Sequence, residues 1–157
     1  MKHIWAPWRI RYIQAEKPAG CFLCEKPARE DDAASYILFR GEKNFVILNA
    51  YPYNPGHLLV ATYRHVADLE KLTAEERHEQ FDIVSRSTEI LRRIYHPDGF
   101  NIGINLGRAA GAGLEDHVHT HIVPRWQGDT NFMAVAADVR VLPDALAAVY
   151  QKLAGEF

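Results

Sequence analysis

The run HVHTHIV at residues 117–123 constrains the fold more than any other stretch, because histidines occupy every second position. Side chains of an extended strand alternate between its two faces. If this run is a strand, His117, His119 and His121 therefore line one face, and the residues between them line the other. The sequence thus predicts a sheet with a row of imidazoles, here called the histidine row, on one side.

Other segments predict the elements around this strand. The capping-box pair Thr73 and Glu76 predicts a long helix over 73–95, and Pro143 with Asp144 predicts the start of a C-terminal helix. Alternating or apolar runs bounded by turn formers predict strands at 36–40, 45–49, 57–61, 100–107 and 117–124. Mostly sequential strands with two helices indicate an α+β fold.

The long helix carries apolar and aromatic side chains at spacings of three and four, which supports a helix over this stretch. This set comprises Phe81, Val84, Thr88, Leu91 and Tyr95.

Length and composition limit the class of protein. A chain of 157 residues is expected to form one domain, here 21–157, after an irregular aromatic arm at 1–20. A net charge of −2 does not favour a nucleic acid polymer as partner, although local groups can still hold a small phosphate ligand. The N-terminal segment is broken by Pro7 and lacks the apolar core of a signal peptide, and no run reaches membrane-span length, so a cytoplasmic protein is expected.

The histidine row has two chemical interpretations. A neutral imidazole has a lone pair at pH 7 and can act as a nucleophile at phosphorus while its neighbours contact charge on the substrate. The glycine-rich loop at 107–113 precedes the row and can bring backbone N–H groups close to an anion. Alternating histidines can also hold a catalytic zinc ion with an open position for water. The spacing alone leaves both interpretations open.

Additional motifs carry a family resemblance. They are the CxxC at 21–24, Asn49 followed eight positions later by His57 in PYNPGH, GINLG at 103–107, and HVHTHIVPR at 117–125. With these, the chain resembles the histidine triad (HIT) family of nucleotide hydrolases and transferases. The segments WAPWR, YPYNPGHLLV, YRHVADL and PRWQGDTNFM are similar to the bacterial diadenosine tetraphosphate phosphorylases of that family.

The resemblance implies a HIT-like fold, with a five-stranded, mainly antiparallel sheet, a long central helix and a C-terminal helix. It also implies a two-step nucleotidyl transfer without a catalytic metal. His119 would attack the α-phosphorus of diadenosine tetraphosphate or another nucleotide to give an adenylyl-histidine, and inorganic phosphate would then release ADP, with ATP as the other product. His121 and His57 would contact the phosphate, and Asn49 would bind the ribose. The phosphates would be surrounded by Asn105, Gly111, Ala112 and Gly113.

The resemblance further implies a structural zinc ion and a homodimer. The zinc ligands would be Cys21, Cys24, His65 and His117, while His3, His78 and His96 are expected to be solvated. Trp5 and Trp8 would either cover a nucleobase or contact a dimer partner.

Three alternatives remain at this stage. Many family members have Gln or Ser where this chain has Ala112 and Gly113, so water is an alternative acceptor, giving a hydrolase of dinucleoside polyphosphates or adenosine phosphoramidates. A zinc-stabilised nucleotide-binding module without turnover is the second, and a zinc hydrolase is the third.

Overall fold

A computed structural model of the protein describes residues 20–129 and 144–157. The aromatic arm predicted over 1–20 therefore lies, except for Gly20, outside the described residues, and so does Pro143.

The described residues form one antiparallel sheet of five strands, in the order β1-β2-β3-β5-β4. The strands are β1 (Ile37–Arg40), β2 (Asn44–Leu48), β3 (Leu58–Thr62), β4 (Gly99–Ile104) and β5 (His119–Arg125). The helices are α1 (Phe22–Glu25), α2 (Asp32–Ser35), α3 (Ala74–Tyr95) and α4 (Leu146–Leu153), with 3-10 turns at Leu69–Lys71 and Arg108–Ala110. The predicted α+β fold, with its antiparallel sheet, long helix and C-terminal helix, is confirmed.

Element boundaries differ from the predictions by a few residues. β5 begins at His119, two residues later than predicted, because the Val118 N–H donates to the carbonyl of Val66 at 2.7 Å. β4 ends at Ile104, and Gly107 then adopts a φ of +77° that begins the loop. The last helix begins at Leu146, and the sequence did not predict the short helices α1 and α2.

Apolar side chains of the sheet meet α3 and α4 on one face. The buried members of this core are Val46, Leu48, Leu58, Val60, Ile83, Val84, Ile90, Leu91, Ile122, Val149 and Leu153. A second buried cluster contains Leu23 of α1 with Ile37, Phe45, Ile47, Leu59 and Ala61, the sheet residues that alternate with those of the first. Both faces of β2 and β3 are consequently covered.

The buried face of α3 follows the apolar spacing only in part. Phe81 is 75% exposed, whereas Gln80, Ile83, Ser87 and Leu91 are buried. The two differ because the buried stripe includes polar residues, which apolar periodicity does not count. In the part of the chain that the structure describes, no helix has the length and apolar character needed to cross a lipid bilayer.

Hydrogen bonds satisfy the polar groups buried beneath α3. Thr120 Oγ1 of β5 donates to Gln80 Oε1 at 3.2 Å, and Gln80 Nε2 lies 3.4 Å from Asn44 Oδ1. Asn44 Nδ2 in turn donates to Glu79 Oε2 at 2.7 Å and to the Glu76 carbonyl at 3.1 Å. This chain of bonds fixes α3 relative to both β2 and β5, because an unpaired polar group would be costly there.

Paired alanine substitutions test the orientation of α3. We expect Leu91→Ala, at a fully buried position, to lower the free energy of unfolding by about 2–5 kcal/mol. We expect Phe81→Ala to change it by less than about 0.5 kcal/mol. Urea denaturation measures both values, and a larger loss for Phe81→Ala would contradict the observed orientation of the helix.

Candidate active site

β5 places His119 and His121 side by side on the sheet face opposite α3. His119 pairs with Ala61 of β3, and His121 pairs with Leu59 on one side and Gly103 on the other. Their ring centroids are 4.8 Å apart, as expected for neighbouring positions on one face of a strand. The predicted alternation is thus present for His119 and His121, whereas His117 lies in the chain before β5 and outside the strand.

A backbone carbonyl determines the tautomer of His119. Its Nδ1 lies 2.8 Å from the carbonyl oxygen of His117. Because a carbonyl can only accept, Nδ1 carries the proton and Nε2 keeps its lone pair. His119 is therefore prepared to act as a nucleophile or base through Nε2.

His57 enters the same site from the start of β3. It follows Gly56, whose φ of +76° turns the chain, and its N–H donates to the Asn54 carbonyl at 3.2 Å. The positive φ favours glycine, and a Cβ at Gly56 would also crowd Leu91 Cδ2 at 3.1 Å. The turn buries the His57 side chain with Nε2 only 2.9 Å from His121 Nδ1.

The proton positions on His57 and His121 follow from one backbone donor. The Tyr53 N–H donates to His57 Nδ1 at 3.1 Å, so this nitrogen is an acceptor and the proton lies on Nε2. His57 Nε2–H then donates to His121 Nδ1, which leaves the His121 proton on its own Nε2. His119 and His121 consequently present opposite groups, a lone pair and an N–H donor.

The surroundings keep these imidazoles neutral near pH 7. Burial, followed by the nearby His121 and His119, lowers the pKa of His57 to about 3. Burial and His119 lower the pKa of His121 to about 4. Burial also lowers the pKa of His119, although its bond to the His117 carbonyl acts in the opposite direction. Neutral rings support the tautomers that the hydrogen bonds assign.

Asn49 and Asn105 lie on opposite sides of the histidines. Asn49 is half-buried after β2, where its Nδ2 lies 3.3 Å from His57 Nδ1 and its Oδ1 accepts from the Tyr51 N–H at 2.9 Å. Asn105 follows β4 and shares a groove with His121. Their predicted contacts with ribose and phosphate stay predictions.

The glycine-rich loop is less open to a ligand than the sequence suggests. The N–H groups of Gly111 and Ala112 donate within the loop, to the carbonyls of Arg108 at 3.0 Å and Gly107 at 3.3 Å. A Cβ on Gly111 or Gly113 would meet no atom within 4 Å, so both residues face open space. The role of Gly111, Ala112 and Gly113 in binding phosphate stays a prediction.

The four predicted metal ligands meet beside this site. One turn of α1 brings both cysteines to the same side, since Cys21 precedes the helix and Cys24 lies within it. Cys21 Sγ and Cys24 Sγ lie 3.1 and 3.5 Å from His117 Nδ1, and His65 Nδ1 lies 3.3 Å from Cys24 Sγ. All four ligand atoms lie within 4.8 Å of one another. We call this set the Cys/His cluster.

The donor set fits a tetrahedral zinc ion. Usual Zn–S and Zn–N bond lengths separate the ligand atoms of a tetrahedral site by about 3.5 Å, close to the spacings in the cluster. His117 Nε2 lies 2.8 Å from the Thr62 carbonyl, so that nitrogen carries the proton and Nδ1 offers its lone pair to the cluster. Burial and the neighbouring Cys21 raise the pKa of Cys24 to about 11, which favours the protonated thiol. A divalent cation bound at this position would favour the thiolate instead.

The remaining histidine predictions concern solvated positions. His78 and His96 are exposed, as expected, and His3 lies outside the described residues. His65 is also exposed, yet it contacts the Cys/His cluster.

Sequence reasoning missed several groups that organise the site. The Tyr53 ring lies 4.7 Å from that of His57 and nearly parallel to that of His121, in addition to the backbone bond already described. The sequence feature that could have indicated Tyr53 is its position in PYNPGH, four residues before His57. No sequence pattern indicates the role of the Thr62 carbonyl, because only folding brings it close to His117.

The chain is similar to known proteins over its whole length. The family model described as HIT domain matches residues 30–128. AP-4-A phosphorylase of Mycobacterium tuberculosis is 36% identical, over 100% of this chain and 85% of the relative. Bis(5'-adenosyl)-triphosphatase of Dictyostelium discoideum is also 36% identical, over 60% of this chain and 63% of the relative.

A solved structure is similar over most of its length. The crystal structure of a zinc-bound histidine triad family protein from Mycobacterium smegmatis has a TM-score of 0.67 and 27% identity, and the match covers 86% of this chain and 90% of that one.

The depressed pKa of His57 predicts a loss of stability in mild acid. As the pH falls below about 6.5, the unfolded chain binds a proton at this residue, whereas the folded protein does so only near pH 3. Stability linked to His57 is therefore complete above pH 6.5 and declines as the pH falls towards 3. Between pH 7 and pH 5 we expect this residue to cost about 2 kcal/mol of unfolding free energy.

Urea denaturation of the wild type and His57→Gln at both pH values isolates this contribution. The variant should be less stable at pH 7 but should lose less stability on acidification. Equal losses in the two proteins would contradict the assigned neutral state of His57.

Proposed function

The chain belongs to the HIT domain family, and we propose that it is a nucleotidyl transferase that splits diadenosine tetraphosphate with inorganic phosphate into ADP and ATP. The structural observation that carries this proposal is the pair of opposite tautomers on β5. His119 presents a lone pair, and His121, 4.8 Å away between ring centroids, presents an N–H. Displacement at phosphorus needs a nucleophile, and it is accelerated by donors to the phosphate oxygens on which negative charge increases.

In the first step, His119 Nε2 attacks the α-phosphorus and forms a P–N bond. The bond from that phosphorus to the bridging oxygen breaks, and ATP departs with the electron pair. The proton on His119 Nδ1 stays hydrogen-bonded to the His117 carbonyl, which stabilises the positive charge that develops on the ring. His121 Nε2–H donates to phosphate oxygen as negative charge increases there.

In the second step, inorganic phosphate attacks the adenylyl-histidine. A new P–O bond forms, the P–N bond breaks, and ADP leaves while His119 returns to its neutral state. Water at the same position would give AMP, which is the hydrolase alternative. The 36% identity to AP-4-A phosphorylase of Mycobacterium tuberculosis, over the whole of this chain, favours phosphate as the acceptor.

Asn49 and His57 have supporting roles in this proposal. The half-buried Asn49 would bind the ribose on the β2 side of the histidines. His57 would hold His121 in the donor tautomer, because its own proton is directed at His121 Nδ1. Asn105, on the β4 side, would contact the phosphates.

The Cys/His cluster would hold a structural zinc ion. Cys21, Cys24, His65 and His117 would be the ligands, and the ion would link α1 to the chain entering β5. The same His117 whose side chain lies in the cluster supplies the carbonyl that orients His119. This separation of tasks leaves the nucleophilic chemistry to His119 without a metal.

Product analysis tests the proposed activity. The protein is incubated with diadenosine tetraphosphate, with and without inorganic phosphate, and the nucleotides are separated by chromatography. We expect ADP and ATP only when phosphate is present. AMP and ATP in both samples would show that the protein is a hydrolase and not a phosphorylase. Tight nucleotide binding without products would favour the nucleotide-binding module.

Matched histidine variants supply the control for this experiment. His119→Ala should reduce turnover to background while retaining nucleotide affinity, because it removes the nucleophile but no phosphate donor. His78→Ala, at an exposed position on α3, should keep wild-type turnover. Near-normal turnover by His119→Ala would exclude the covalent mechanism.

Chelation tests the structural zinc. We expect close to one zinc ion per chain by elemental analysis, and we expect a strong chelator to lower the melting temperature by at least about 5 °C. The Cys21→Ser/Cys24→Ser double variant should melt lower and should not respond to the chelator. Loss of turnover at an unchanged melting temperature would instead support the zinc hydrolase alternative.

A further inference from the structure

Beyond His121, the catalytic face continues as an open groove of about 240 Å³ between β4 and β5. We call it the distal trough, and its polar and ring-bearing lining residues are Tyr53, Asn101, Asn105, His121 and Arg125. None of the assigned roles in the proposed two-step reaction uses Asn101 or Arg125.

Two glycines keep the distal trough open. In the β4–β5 register, Gly103 lies opposite His121, and Gly99 lies opposite Arg125. Paired residues of neighbouring strands project to the same face, and a Cβ on either glycine would meet no atom within 4 Å. No side chain of β4 therefore lies directly opposite His121 or Arg125, and Asn101, between the two glycines, is the β4 side chain that reaches Arg125.

Arg125 stands at the far end of this trough. It lies four residues after His121 on β5, so both side chains occupy the same face, with Cα atoms separated by about 13 Å along the strand. The long arginine side chain can bring its guanidinium closer to His121 than the Cα atoms are. The distance left between the guanidinium and the imidazole suits a chain of several phosphates.

The guanidinium of Arg125 is held in place but not saturated. Its Nε and Nη2 bind the two oxygens of Asp129, the latter at 3.0 Å, and Nη1 donates to Asn101 Oδ1. Within the described residues, these bonds use three of its five N–H groups. The arginine side chain is 40% exposed and lines the trough, whereas that of Asp129 is 9% exposed and does not line it.

Asp129 is itself fixed by the turn that precedes His57. Buried Asn54 donates to Asp129 Oδ2 at 2.7 Å and to the Pro124 carbonyl at 2.8 Å. Because Asn54 fixes Asp129, and Asp129 fixes Arg125, the arginine side chain needs little reordering to bind an anion.

We propose that the distal trough binds the phosphates of the leaving group beyond the bond that breaks, with Arg125 as their cationic ligand. This inference rests on the proposed function, which places the scissile phosphate at His119 and His121. The trough supplies the N–H of His121, the amides of two asparagines and the guanidinium, and no described acidic residue lines it. Substrates with a long polyphosphate leaving group would gain contacts that AMP or an adenosine phosphoramidate cannot make.

Binding to a protein that cannot turn over substrate tests this subsite. In a His119→Ala background, calorimetry gives the affinities for diadenosine tetraphosphate and for AMP, before and after Arg125→Gln. We expect Arg125→Gln to weaken diadenosine tetraphosphate binding about tenfold and to leave AMP binding within about twofold. Arg93→Gln removes an arginine from another surface ion pair, with Glu156, and should alter neither affinity.

The possible results separate this inference from the proposed function. If Arg125→Gln weakens both ligands equally, or neither, Arg125 is a structural residue and the subsite is wrong even though the nucleotide site stands. If the parent protein binds neither ligand, the proposed function fails and the inference fails with it. A turnover assay with an adenosine phosphoramidate, in protein that retains His119, gives a second measure. The subsite predicts that Arg125→Gln leaves this rate unchanged, because this substrate has no polyphosphate leaving group.

Discussion

β5 is paired on both sides, and this double pairing constrains most of the molecule. Hydrogen bonds to β3 and β4 fix its register, so Thr120 and Ile122 must face α3 while His119, His121 and Arg125 face the opposite side. A shift of one residue would bury imidazoles under the helix and expose the core. The hydrophobic core and the candidate active site are therefore two results of the same alignment.

Backbone groups, rather than acidic side chains, determine the chemistry of the histidines. The His117 carbonyl and the Tyr53 N–H fix opposite tautomers on His119 and His121, the second through His57. A carboxylate in either position would raise the pKa of its imidazole and favour a charged ring. Dipoles of the main chain orient the protons without adding a charge, which is compatible with the depressed pKa values of His57 and His121.

The sequence predicted what depends on local pattern. The alternation of β5, the capping box of α3 and the Cys/His set are visible in the residues, the last through family resemblance, and the structure brings each together. It could not predict groups defined by pairing between distant strands, such as the Thr62 carbonyl beside His117 or Gly103 beside His121. Nor does apolar spacing give the buried face of α3, because Gln80 and Ser87 are buried through hydrogen bonds, which hydrophobicity does not report.

His117 joins two tasks in one residue, since its ring belongs to the Cys/His cluster and its carbonyl orients His119. The ring and the carbonyl group are both bonded to the same Cα, so a backbone shift at His117 moves both. The geometry of the cluster and the orientation of His119 are therefore coupled at this position. In the proposed subsite, Arg125 lies at the opposite end of β5 from the cluster, so a change there would alter substrate preference without touching the ring or the carbonyl of His117.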